Sequence, residues 1–216
     1  MVNCFMLKPN IKDIHDYLNN KNGLVVHFSG CPKGGGPGVK LYPNDLLQVI
    51  SNNANGGVSC SLIVPGDSYN KSSAIGTVGL IIDFNSDGLK AVSPSDCGSD
   101  VIDGIRRAEE KGISLDDINN SLISRLNYNE WVIVPSKILG VFVFTGEDII
   151  VWGDCQALDE HNDVADSYLF YKYIDIQQVS QDFINEDVFS FIDGSIAKLD
   201  RDSMEFVRVD GNEFYK

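Results

Sequence analysis

Residues 129–143 read Asn-Glu-Trp-Val-Ile-Val-Pro-Ser-Lys-Ile-Leu-Gly-Val-Phe-Val. Two apolar runs rich in β-branched residues, parted by one Pro-Ser-Lys break, predict two consecutive buried strands. That places a sheet at the centre of the fold. Glu130, which heads the first run, is the anomaly. Glutamate is depleted in strands and is rarely buried without a partner, so it is the first residue to suspect of function.

Around this stretch the periodicity predicts a helix over residues 9–20, with Ile11, Ile14, Tyr17 and Leu18 on one face. A strand at 24–29 leads into a loop at 31–38, where Gly and Pro are too dense for helix or ladder. A short helix at 43–50 and strands at 58–64 and 77–84 follow. Ser99 or Asp100 caps a helix expected to reach residue 111. Ser114, followed by Asp116 and Asp117 near the positive end of the dipole, starts another that ends near residue 125. A strand is expected at 148–153 and a helix within 164–184. Strands at 188–192 and 196–199 flank the hairpin turn Asp193-Gly194, and 204–209 adds one more.

This order is α+β, a mixed or antiparallel central sheet with flanking helices, and not the strict alternation of a doubly wound fold. Residues 1–155 form the main domain, and residues 156–216 a C-terminal helix and β-meander extension packed on it.

The chain has 216 residues, 43% hydrophobic and 22% charged, enough to bury a real core. Its net charge of −14 argues against a nucleic-acid partner, because no surplus of Lys and Arg exists to displace counterions. It suits solubility or a basic protein partner. No apolar run approaches a membrane span, and the first residues lack the layout of a secretory signal. Five widely spaced cysteines without a C-x-x-C read as free thiols in a reducing, cytoplasmic compartment. With three histidines, no metal site is expected.

Three further segments carry polar groups suited to a ligand. His27-Phe28-Ser29 closes a strand just before the Gly-rich loop, which would display an imidazole and a hydroxyl. Within Gly57-Val58-Ser59-Cys60-Ser61, Ser59 and Ser61 share one strand face and Cys60 takes the other. Tyr69 stands in the next loop, where a ring could stack on a ligand. Each also has a plain structural reading: a satisfied strand-end histidine, hydroxyls lining solvent, a surface tyrosine.

In this order the segments resemble the ADP-ribosyltransferase family. There a His-x-Ser/Thr strand is followed by a helix, a Gly-rich strand with serine, a loop tyrosine, and a glutamate heading a strand that often runs Glu-x-x-x-x-Pro. The matching positions are His27 and Ser29, the helix at 43–50, residues 57–61, Tyr69, and Glu130 with Pro135. The resemblance spans about residues 24–145. Phe28 stands where a glycine is common, and Tyr128 where some branches place a second Glu or Gln before the catalytic one.

The resemblance implies a mono-ADP-ribosyltransferase-like toxin or effector that uses NAD as substrate and modifies a protein. Glu130 would be catalytic, His27 and Ser29 would position the adenosine-side ribose and the nicotinamide amide, Ser59 and Ser61 would line the cofactor site, and Tyr69 would stack on nicotinamide. Breaking the nicotinamide bond develops an oxocarbenium-like ribose, which a fixed carboxylate stabilises.

Two other readings stand beside it. An acidic, non-enzymatic immunity protein could occlude a basic toxin, which the charge permits. Phe28-Ser29-Gly30-Cys31 resembles the Leu-Ser-Gly-Cys element of toxin glutamine deamidases, but no histidine follows Cys31 until His161. The glycines at 34–38 lack the Lys-Ser/Thr of a P-loop, and Asn53-Ala54-Asn55 lies in reversed order for an ADP-ribose-binding macrodomain.

Overall fold

A computed structural model describes residues 10–28, 57–66, 78–94, 106–107, 113–122, 129–145, 156–158, 164–167, 176–209 and 214–216. It is a mixed α+β fold whose main sheet, among the described residues, is antiparallel at every pairing but one.

Helix α1 (Ile11–Lys21) begins where the Asn10 side chain accepts the Lys12 N–H at 3.2 Å. It ends at Asn22, which takes the left-handed conformation that asparagine tolerates. Its inward face carries Ile14, His15, Leu18 and Asn19, all buried. Strands β1 (Leu24–Phe28), β2 (Val58–Ile63), β3 (Val78–Asp83) and β4 (Leu89–Ser93) follow, then the two-residue β5 (Arg106–Arg107). Helix α2 (Leu115–Leu122) opens with a reciprocal cap: Asp117 N–H donates to Ser114 Oγ, and Ser114 N–H donates to the Asp117 carboxylate at 2.9 Å. Strands β6 (Glu130–Ile133) and β7 (Lys137–Val143) are the two runs that flank Pro135. After β8 (Gln156–Leu158), β9 (Val164–Ser167) and helix α3 (Ile176–Asp182), the chain ends in β10 (Val188–Ile192), β11 (Ser195–Asp200) and β12 (Glu205–Arg208). Asp193 and Gly194, both at positive φ, make the two-residue turn between β10 and β11.

Among the described residues, ten strands form one sheet in the order β12-β11-β10-β7-β3-β1-β2-β6-β4-β5, while β8 and β9 pair separately. Strand β10 lies parallel to β7, so the C-terminal meander extends the same sheet as β1.

The two consecutive runs do not lie side by side. Strand β6 pairs with β2 and β4, whereas β7 pairs with β3 and β10. Ile133 to Lys137 is a step of roughly 14 Å at full extension. Four flat inter-strand spacings would need about 19 Å. The sheet therefore curls, and its two wings meet at this turn through Val134 N–H to Gly88 O (2.8 Å) and Ser136 N–H to Asp83 O (2.9 Å).

Two sequence expectations are corrected and one strand is added. Strand β4 was not anticipated; Lys90 interrupts its apolar pattern, and it earns its place by pairing with β6. Within the helix expected to reach residue 111, Arg106–Arg107 instead form an edge strand on β4. The helix expected within 164–184 resolves into β9 and the short α3. The expected loop at 31–38, helix at 43–50 and strand at 148–153 lie outside the described residues.

Candidate functional site

The sheet brings β1, β2 and β6 together as neighbours, although their sequence separation is large. Strand β2 divides its partners along its length. Its second half pairs with β1 (Leu24↔Ile63 to Val26↔Ser61), and its first half pairs with β6 (Val58↔Ile133 to Cys60↔Trp131). The β1–β2 ladder thus stops at Val26↔Ser61, while β1 runs on against β3 through His27↔Leu80 and Phe28↔Gly79. Here the two wings part.

One side chain bridges each open end. His27 Nδ1 lies 2.8 Å from the Ser59 carbonyl oxygen. A carbonyl only accepts, so Nδ1 carries the hydrogen and Nε2 is an acceptor in the neutral ring. On the other flank the buried Asn129 amide meets both backbone groups of Leu62. Leu62 N–H donates to Oδ1 at 2.7 Å, and Nδ2–H donates to the Leu62 carbonyl at 2.8 Å. The side chain continues the β2–β6 ladder past its last backbone pair.

Register then fixes what surrounds Glu130. It pairs across β4 with Ser93, and one step beyond Cys60↔Trp131 it stands beside Ser61. Opposed residues in antiparallel strands share a face, so the carboxylate lies in a row between two buried hydroxyls, Ser61 (3% exposed) and Ser93 (2%). Ser59, two residues back, is exposed on that same face. Glu130 itself is half-buried, which suits a carboxylate that stays reachable.

The opposite face of β6 is core. Trp131 is fully buried, its indole N–H donating to Ser121 Oγ on α2 at 3.2 Å and its ring edge-on to Phe84. Cys60 opposes Trp131, and its thiol is pushed up by burial and, second, by the Glu130 charge. A thiol so held is a packing group and not a nucleophile.

Of the residues expected at a site, the structure thus groups Ser59, Ser61 and Glu130 on one face. His27, expected beside them, sits on the adjoining strand with its side chain on the opposite face: its neighbour Val26 opposes Ser61, so alternation turns His27 to the face of Leu80. Ser29, Cys31 and Tyr69 lie outside the described residues. Sequence reading missed Asn129 and Ser93. Asn129 directly precedes the suspect glutamate, but its partner Leu62 is 67 residues away and cannot be read from sequence.

Among the described residues, no group of three or more His, Cys, Asp or Glu side chains could hold a metal ion. Nor, among them, is any helix long and apolar enough to cross a membrane. No protein-family model, curated protein or solved structure matches the chain.

Proposed function

We propose that this chain is an ADP-ribosyltransferase-like effector that transfers ADP-ribose from NAD to a protein, with Glu130 as its catalytic residue. The observation that carries this reading is the half-buried carboxylate aligned between two buried serine hydroxyls, beside the point where the β1–β2 ladder ends.

In the reaction the bond from ribose C1′ to the nicotinamide nitrogen breaks and its electron pair leaves with nicotinamide. A nucleophilic side chain of the target adds to C1′ and gives up its proton. Glu130 accepts a hydrogen bond from a ribose hydroxyl and faces the positive charge that develops on the ring. Ser61 and Ser93 flank Glu130 along the ladder, and hydroxyls so placed would restrict where the carboxylate points, the preorganisation such catalysis depends on. Strand β2 lies between Glu130 and β1, so the dinucleotide would lie across the parting of the wings. Ser59 and Glu130 would line the ribose on one face, while His27, turned to the other face and bonded to the Ser59 carbonyl, would hold the strand that carries them. The family resemblance adds Ser29 and Tyr69 at the nicotinamide end.

The test is incubation with NAD labelled in the adenylate, scoring both hydrolysis and transfer to protein. Glu130→Gln keeps the shape and is expected to slow either reaction by about 10²–10³-fold, the usual loss of one preorganised electrostatic group. Wild type that leaves NAD intact, or a variant as fast as wild type, ends this reading. The charge of −14 favours a second one, an acidic inhibitor of a basic protein. Salt-sensitive binding to such a protein by a chain inert toward NAD would establish it.

A further inference from the structure

Away from the Glu130 row, a cavity of about 620 Å³ opens between α1, the end of β3 and the C-terminal Tyr215. Ile11, Phe84 and the Tyr215 ring give it apolar walls, His15 and Asp83 are, besides that tyrosine, its most buried ionisable groups, and Ser136 lines it from an exposed position. His15 is 7% exposed, and its Nε2 makes no hydrogen bond. That nitrogen lies 3.4 Å from Asp83 Oδ1, which already accepts the Phe84 N–H at 2.9 Å. His15 and the Tyr215 phenol are ionisable neighbours of the Asp83 carboxylate. The arrangement leaves an orphan nitrogen and a mostly buried carboxylate side by side at an apolar-walled cavity. Buried polar atoms are costly when unpaired, so the His15 nitrogen calls for a donor, and the carboxylate, one oxygen of which already accepts Phe84 N–H, has lone pairs left to share in holding it.

We propose that this cavity binds a small organic cation, an alkylammonium or guanidinium group on a short apolar stem. In the tautomer protonated at Nδ1, His15 Nε2 and the Asp83 carboxylate are adjacent acceptors, and one such cation carries enough N–H donors to satisfy both. The stem lies against Ile11 and Phe84. The negative field of the whole molecule adds to the attraction. At the mouth, Lys12 sits 3.9 Å from Asp16 with its side chain 77% exposed, and Lys216 is likewise exposed, so solvent screens their opposing charge. The site is independent of the NAD reading, because its readout needs no NAD.

Phe84 touches both His15 and Trp131, which supplies that readout. In a Trp152→Phe background, agmatine is titrated while Trp131 emission and the thermal midpoint are followed, with 1,5-pentanediol and glutarate as neutral and anionic counterparts of similar length. Saturable shifts in both signals with agmatine alone are expected. Asp83→Asn retains an acceptor for Phe84 N–H and should weaken binding roughly tenfold or more, as for loss of a charge-assisted bond. Asp16→Lys at the exposed mouth should weaken it too, and decides the matter if Asp83→Asn does not fold. An agmatine response matched by pentanediol or glutarate, unaffected by these substitutions, or absent overturns the proposal.

Discussion

Asn129 does with a side chain what a strand does with its backbone. Its amide carries an oxygen that accepts and an NH2 that donates, spaced as in a peptide group, and Leu62 engages both. Replacing it with alanine leaves a buried N–H and a buried carbonyl unpaired, each costing about 1–3 kcal/mol. Asn129→Ala is expected to lower unfolding stability by roughly 2–4 kcal/mol, measured by urea denaturation with an unchanged m-value. Asn129→Asp keeps the acceptor but sets a negative charge against the Leu62 carbonyl, and should be no better. The neighbouring residues were legible to different degrees. Trp131 was readable as core, since an indole in a β-branched run is nearly always packed. Glu130 was readable as an anomaly, though not as the centre of a hydroxyl row, because Ser61 and Ser93 arrive from strands far away in sequence.

Short elements owe their limits to particular side chains. The end of α3 is held by Arg201, whose guanidinium donates to the carbonyls of Ser180, Phe183 and Glu186 and to Ser180 Oγ. Those carbonyls lie at and beyond the helix end, where a helix has no partners of its own. A planar fork with five donors serves several acceptors at once; an ammonium on a flexible stem cannot. Arg201→Lys is therefore expected to cost about 1–3 kcal/mol and to speed amide exchange over residues 183–188 while leaving β1 to β3 protected. Caps and turns of this local kind were largely legible: Ser114 with Asp117, and Asp193-Gly194, act within a few residues of themselves. Strands β4 and β5 were not, because each is defined by its neighbour and not by its own alternation.

At the scale of the molecule, the last described residues are fastened to the first. Asn19 exchanges two hydrogen bonds with the Tyr215 backbone (2.9 and 3.0 Å), and the Tyr215 hydroxyl accepts the Val25 N–H at 2.8 Å. Burial, opposed by that hydrogen bond, pushes the phenol up from its ordinary value. A group raised on folding stabilises below its unfolded pKa, near 10 for tyrosine, and that contribution fades as pH rises above it. Tyr215→Phe strands the Val25 N–H and should cost about 1–3 kcal/mol at neutral pH. It also removes the tyrosine share of the stability lost at alkaline pH, which a series of urea midpoints from pH 8 to 11 would show. The general class, antiparallel strands with helices on their flanks, could be read from alternation and capping. The path of the sheet could not, because the curl that separates β6 from β7 is fixed by long-range pairing.

The parallel seating of β10 against β7 also bears on how the chain is made. A ribosome releases β7 well before β10, so the outer edge of β7 emerges with its backbone groups unclaimed and waits until residues 188–192 have left the exit tunnel. A hairpin partner would arrive within about a second of its neighbour's synthesis; this one begins 45 residues later (Val143 to Val188), a delay of roughly 2–9 s. For that interval the nascent chain presents Val141, Phe142 and Val143 on an unpaired strand edge, the kind of margin that invites wrong pairing until β10 arrives.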